Sequence, residues 1–378
     1  MERHGDGGAA LAADLERTAF ITPEHYAAEQ TRRMESNRGR LLIANCTSGA
    51  ALANRVAEQY EELLRSHGSD SGIVVLREVD RQFKDSETVV RLERHVGGYD
   101  VFLFQSLFDP ANGSSIDQNY MAFIIAARAF KEHGAEHITG VLPYLAYSRQ
   151  DKPTKFMREP TTAQLMADLS ITAGIDRLVT WHPHSDQIHG FYGRTAINVL
   201  SPLSFFIREF EEFRGRADTI VVGPDEGASN LVTHLCRALD LNGAVGSKHR
   251  PHPGQAAIAE IIGDFRGKRT ALIVDDIIGS AGTLHALIER LDRDADLESI
   301  YIAASHNLCV GSAVERLREL HERYRLRRLL VTDSVPPRPE VSALPFLTTR
   351  SLADDLCRTV NRIHYNQSVS EVFYKPRD

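Results

Sequence analysis

Two adjacent carboxylates, Asp275 and Asp276, close a short apolar run, Ala271–Val274, and a small-residue loop follows, Gly279-Ser280-Ala281-Gly282-Thr283. The apolar run reads as a buried parallel strand, and the periodic segment Leu284–Leu291 reads as a helix. Backbone N–H groups at a helix start bind a phosphate dianion, and glycines let the backbone come close to it. Adjacent carboxylates accept hydrogen bonds from vicinal hydroxyls. Together these features suggest a cradle for a sugar phosphate. The plainer reading is an ordinary strand–turn–helix with acids near the helix cap.

Further groups of reactive residues recur along the chain. Pro224-Asp225-Glu226-Gly227-Ala228 follows the strand candidate Thr219–Gly223, where a carboxylate can orient a metal-bound water or a ribose; a plain helix cap is the alternative. Ser247-Lys248-His249-Arg250-Pro251-His252-Pro253-Gly254 has no apolar face and reads as a flap. Its Lys248 and Arg250 are suited to neutralising charge during phosphoryl transfer. Arg149-Gln150-Asp151-Lys152, with Tyr144 and Tyr147 nearby, can hold a nucleobase and phosphates by stacking and charge. His182 and His184 stand two apart at the end of another strand candidate, beside Asp186, and suggest contact with a metal or phosphate. Phe83-Lys84-Asp85-Ser86-Glu87 reads by itself as a polar turn, although Phe83 can stack on a base while Asp85 and Glu87 accept from an amino group.

These residues need a scaffold. A length of 378 residues suggests two domains. From Arg40 onward, strand candidates (Leu41–Ala44, Gly72–Val79, Val101–Gln105, Ile138–Tyr144, Asp176–Trp181, Thr219–Gly223, Thr270–Val274, Ser299–Ser305, Arg328–Thr332) alternate with helical patterns. Such alternation means α/β architecture, with parallel sheets flanked by helices. Asp100–Leu145 and Thr270–Asn307 share the order strand, loop, helix, strand, so two similar α/β domains joined near Asn198–Ser204 are expected. All the reactive groups then fall at carboxyl ends of strands, where open α/β sheets bind ligands. Residues 1–40 are polar and read as an extension, partly disordered or lying on the surface.

A net charge of −7 argues against broad nucleic-acid binding. Cys46, Cys236, Cys309 and Cys357 are scattered without metal-ligand spacing, which speaks against zinc and for a reducing compartment. No apolar run is long enough to span a membrane, and no signal-peptide pattern opens the chain, so a cytoplasmic protein is expected.

In combination and in order, these segments resemble the ribose-phosphate pyrophosphokinase (phosphoribosyl-pyrophosphate, PRPP, synthetase) family over roughly Leu41–Phe373. Phe83–Glu87 is similar to the family's F-x-D-x-E segment, Tyr147–Lys152 to Y-x-R-Q-D-[RK], and His182–Gly190 to its metal-site region. Pro224–Gly227 is similar to P-D-x-G, Lys248–Pro253 to K-x-R-P-x-P, Val274–Thr283 to V-D-D-x-x-x-[ST]-x-G-T, and Ile363–Phe373 to the C-terminal segment. The resemblance implies two phosphoribosyltransferase-like domains, over 41–202 on the ATP side and 203–378 on the ribose 5-phosphate side, with the last helix packing on the first domain. It implies Mg²⁺, ATP and ribose 5-phosphate, and a homo-oligomer built from dimers, such as a hexamer. In the implied reaction, the ribose 1-hydroxyl attacks the β-phosphorus of ATP and AMP leaves. The roles that carry over are Lys248 and Arg250 in catalysis, and Phe83, Asp85, Glu87, Arg149, Gln150 and Asp151 in ATP binding. Asp275, Asp276, Gly279, Ser280, Ala281, Gly282 and Thr283 would hold ribose 5-phosphate, with His184 and Asp225 at the metal.

Two positions depart from the family pattern. His182 stands where the family commonly has Asp, and imidazole is a poorer Mg²⁺ partner than oxygen. Gly279 stands where the family commonly has Asp. These departures leave open a catalytically weak regulatory paralogue that binds nucleotide or an active synthetase. A phosphoribosyltransferase that consumes PRPP shares the acid-pair loop but has no need of Arg149–Lys152 or Phe83–Glu87.

Overall fold

The computed structural model describes residues 22–24, 38–252 and 255–371; the side chains of 248–252, 255–259 and 371 fall outside that description. Most of the extension expected over 1–40 therefore lies outside the described residues. The remainder forms two sheets, whose strands are β1 (Arg40–Asn45), β2 (Val74–Leu76), β5 (Tyr99–Phe104), β6 (His137–Val141), β7 (Arg177–Trp181) and β8 (Ala196–Leu200) in the first. The second holds β9 (Thr219–Gly223), β10 (Asn242–His252), β11 (Gln255–Ile262), β12 (Thr270–Ile278), β13 (Ser299–Asn307), β14 (Leu326–Thr332) and β15 (Leu347–Arg350). A separate hairpin pairs β3 (Asp80–Gln82) with β4 (Thr88–Val90).

The strand orders are β2-β1-β5-β6-β7-β8 and β11-β10-β9-β12-β13-β14-β15. Every pairing in the two large sheets is parallel except β10 with β11. Parallel strands are covered on both faces and so read as continuous apolar runs; all six residues of β5, Tyr-Asp-Val-Phe-Leu-Phe, are buried. The covering helices are α1 (Ala50–Ser66), α2 (Ile116–Glu132), α3 (Thr162–Ala173), α4 (Leu203–Glu209), α5 (Ser229–Leu239), α6 (Gly282–Asp294), α7 (Ala313–Arg323) and α8 (Ala353–His364). Local signals fix their starts. Ser115 and Gln118 form a reciprocal capping box at α2, with Ser115 Oγ accepting from Gln118 N at 3.1 Å and Gln118 Oε1 accepting from Ser115 N at 2.9 Å.

The halves share a core. One apolar cluster runs from Phe102 and Val179 through Phe206 to Leu235, Leu272 and Leu356. Helix α8 of the second half reaches back onto α1, where Asn361 Nδ2 donates to the Tyr60 hydroxyl at 3.0 Å. His364 Nδ1 lies 2.9 Å from Asp100 Oδ2, whose carboxylate also takes both prongs of Arg38 at 2.9 and 3.0 Å. Buried charge is thus paired twice over at this junction.

At the joint expected near Asn198–Ser204, residues 196–200 form the edge strand β8, aligned along β7. Strand β12 does not stop before the acid pair, because its ladder with β13 continues through Asp275↔Ala304 to Ile278↔Asn307. The basic stretch 247–252, expected as a flap, is strand by its backbone. It pairs with β11 as an antiparallel ribbon, which gives main-chain groups hydrogen-bond partners.

Candidate functional site

Both sheets reverse strand order next to their first strand, and the reversal in the second sheet falls between β9 and β12. Loops diverge there and leave a crevice at the carboxyl ends. The crevice is a cleft of about 810 Å³, lined by Asp225–Gly227 after β9, by Asp275–Leu284, and by Arg149, Gln150 and His184 of the first half. Asp151 is buried beside them, its Oδ2 3.9 Å from Lys152 Nζ, and does not line the cleft. Lys248 and Arg250 lie on β10 by their backbone, and their side chains are outside the described residues. Phe83, Asp85 and Glu87 do not join the cleft. They form the tip of the β3–β4 hairpin, where Phe83 N donates to Glu87 O at 2.9 Å and Phe83 is 56% exposed. Their short polar turn places them away from the sheet ends that build the crevice.

The acids face each other across a close contact. Asp276 N donates to Asp275 Oδ1 at 2.9 Å, and His184 Nδ1 lies 2.7 Å from Asp276 Oδ2. Burial, then the charges of Asp276 and Asp225, raises the Asp275 carboxyl well above its usual range. Burial acts the same way on Asp276, but the hydrogen bond and charge of His184 outweigh it and hold that carboxyl below the usual range. The same hydrogen bond raises His184. Two adjacent carboxyls pushed in opposite directions are suited to gripping hydroxyls, which both donate and accept. Asp225 Oδ1 accepts from Gly227 N at 3.0 Å, a cap that fixes the turn into α5.

The loop over 279–281 is held from behind. Leu308 N and Cys309 N donate to Ile278 O at 3.1 and 3.0 Å, Val310 N donates to Gly279 O at 3.0 Å, and Arg316 Nη1 donates to Ser280 O at 2.8 Å. Ala281 has φ +57°, a left-handed conformation that costs a residue with a Cβ. That conformation turns the chain directly into α6, whose first N–H groups face the loop.

His182 is not in the cleft. It too has a positive φ, +42°, and its Nδ1 lies 2.6 Å from Ser305 Oγ, which also receives the Trp181 indole N–H at 3.2 Å. Burial lowers its pKa to about 4. Its neighbour His306, fully enclosed, reaches His182 O with Nε2 at 3.1 Å and Ser334 Oγ with Nδ1 at 2.9 Å. Burial also brings His306 to about 4. His182 thus takes part in a link between the two sheets through Ser305. Ser305, His306 and Arg316 had no signal in the sequence, because each acts through a contact made only when distant strands align.

Residues 41–174 match the family model described as the N-terminal domain of ribose phosphate pyrophosphokinase, and residues 204–323 match the phosphoribosyl transferase domain. A ribose-phosphate pyrophosphokinase of Caldanaerobacter subterraneus subsp. tengcongensis is 35% identical over 333 residues, which are 88% of this chain and 98% of the relative. One from Fusobacterium nucleatum is 33% identical over 341 residues, 89% of this chain and 99% of the relative. Among solved structures, phosphoribosylpyrophosphate synthetase from Mycobacterium smegmatis superposes with a TM-score of 0.74 at 29% identity, covering 86% of this chain and 99% of that one.

Proposed function

We propose a working site for a chain that belongs to the ribose-phosphate pyrophosphokinase family: it transfers the pyrophosphoryl group of ATP to the 1-hydroxyl of ribose 5-phosphate, giving PRPP and AMP. The observation that carries the assignment of residues is that Asp275, Asp276, the 279–283 loop and Arg149 line one cleft although they come from both halves. The loop and the first turn of α6 receive the 5-phosphate. Asp275 and Asp276 accept and share hydrogen bonds with the ribose hydroxyls. Arg149 and Gln150 face the same space and hold the triphosphate. Lys248 and Arg250 stabilise the group in transfer, where charge spreads over phosphoryl oxygens.

The donor set fits Mg²⁺. Among the described residues no three His, Cys, Asp or Glu side chains converge as a metal cage. Mg²⁺ commonly binds through one or two carboxylates plus substrate phosphates and waters, and Asp225 supplies such a carboxylate beside the acid pair. Asp225, together with His184, whose Nδ1 holds Asp276, would hold the ion and its waters. The ion, when bound, neutralises phosphate charge.

The hairpin of Phe83, Asp85 and Glu87 points to a second copy of the chain. An exposed aromatic tip outside its own cleft suits contact with adenine in a neighbouring protomer, within a dimer-based homo-oligomer. The first experiment is a phosphorus NMR and AMP-release assay with ATP, Mg²⁺ and ribose 5-phosphate. A pyrophosphorylated C1 and stoichiometric AMP are expected. No product with Mg²⁺ or Mn²⁺ overturns the reading.

A further inference from the structure

The first sheet carries the same kind of reversal as the second, between β1 and β5, and a second cleft of about 410 Å³ opens there. It stands in the first half where the ribose-phosphate cleft stands in the second, at a position where open α/β sheets bind ligands. Its size suits a small molecule.

The lining is specific in chemistry. Arg55 on α1 donates from Nη1 to Asp333 Oδ2 at 2.8 Å, and its side chain is 54% exposed against 7% for Asp333. Asp333 is already occupied by Ser351 Oγ at 2.6 Å and Leu352 N at 2.8 Å. A guanidinium has five N–H donors, and this contact uses one. Gln105, at the end of β5, is 1% exposed; its Nε2 donates to Asn119 O at 3.0 Å, while Oε1 has no partner among the described residues. Pro336 and Pro337 add an apolar wall.

We propose that this cleft binds a small organic anion, its phosphate or carboxylate on Arg55 and its apolar body against Pro336 and Pro337, and that occupancy is felt in the ribose-phosphate cleft. The connection runs through two hydrogen bonds and the backbone of 182–184. Ser334 lines the second cleft, its Oγ meets His306 Nδ1 at 2.9 Å, and His306 Nε2 meets His182 O at 3.1 Å. Two residues on, His184 holds Asp276. The coupling, though not the site, rests on the function proposed above.

The test is calorimetric titration of the full chain with phenyl phosphate, benzoate and the neutral benzyl alcohol, each with and without saturating ribose 5-phosphate. One or both anions should bind, and which one binds tells phosphate from carboxylate; benzyl alcohol should not. Arg55→Ala should weaken binding about tenfold, ~1.4 kcal/mol. Ser342 also lines the cleft, and the bulk added by Ser342→Trp should abolish binding. Ribose 5-phosphate should shift the anion's Kd roughly fivefold, and Ser334→Ala should remove that shift while keeping the binding. Equal binding of the alcohol, or unchanged anion binding in both Arg55→Ala and Ser342→Trp, overturns the site. Binding with no shift overturns the coupling alone. None of these readouts uses turnover, so a failed synthetase assay and a failed effector site remain separate results.

Discussion

His184 Nδ1 and Asp276 Oδ2 stand 2.7 Å apart across the meeting of the two sheets, so the first half orients an acid that belongs to the second. His184 follows β7, and Asp276 lies within β12. Orientation by such a partner matters because a misaimed carboxylate loses its hold on a hydroxyl. His184→Ala should lower kcat/KM for ribose 5-phosphate roughly tenfold to a hundredfold, by analogy with the loss of groups that orient metal ligands. His184→Asn, whose amide can reach the same oxygen, should recover part of it. Steady-state kinetics on both variants checks this, and equal damage from the two would show that the contact is not what matters.

The enclosed His306 makes folding stability depend on pH. Burial brings its pKa from 6.5 to about 4, against the opposing pull of its hydrogen bond to the His182 carbonyl; Ser334 and the Tyr144 ring, whose centroid is 5.1 Å away, help enclose it. A histidine held neutral in the fold takes up its proton more readily when unfolded. Stability is therefore unaffected above pH 6.5 and declines as pH falls from 6.5 towards 4. The loss from this one group by pH 4 is roughly 3 kcal/mol. Denaturant midpoints measured from pH 7 to 4 should show that decline, and His306→Gln should flatten part of it. A slope unchanged by the substitution would place the proton uptake elsewhere.

Lys248 and Arg250 should act mainly in the transition state, where charge on the transferring group peaks. Lys248→Ala is expected to reduce kcat by orders of magnitude while ATP dissociation changes little. Rapid-quench turnover and equilibrium ATP binding separate the two effects. A parallel loss of binding and turnover would make Lys248 a ground-state ligand instead.

Much of this site was legible because its chemistry is local. Asp275, Asp276 and the 279–283 loop form one stretch of chain, and apolar strands that are buried on both faces announce themselves without alternation. Strands β8, β10 and β11 were not legible. The residues of β8 are only partly buried apart from Leu200, and the ribbon of β10 and β11 depends on backbone pairing rather than side-chain pattern. His182 was misleading for a different reason. Its position relative to His184 suggested a shared ligand, but a positive φ turns it towards Ser305, more than 120 residues later in sequence. The hairpin at Phe83 was read for its residue types, and only the fold shows that it sits outside its own cleft.

Arg316 supports from α7 the loop proposed to receive the 5-phosphate. Its guanidinium donates to Ser280 O at 2.8 Å from α7, and a Cβ on Gly282 would stand 3.3 Å from the same nitrogen. The loop carbonyl is thus drawn back, which leaves the N–H side of the turn towards the cleft. Without that pull, the loop must be ordered by the substrate itself, and the cost appears in binding. Arg316→Ala should raise KM for ribose 5-phosphate about tenfold, from a charge-assisted bond worth roughly 1.5 kcal/mol at a partly exposed position. The kcat should change little, since the bond exists in the ground state and the transition state alike. Arg316→Lys can keep one donor and should fall between the two. A fall in kcat at unchanged KM would place Arg316 in the chemical step and not in the positioning of the loop.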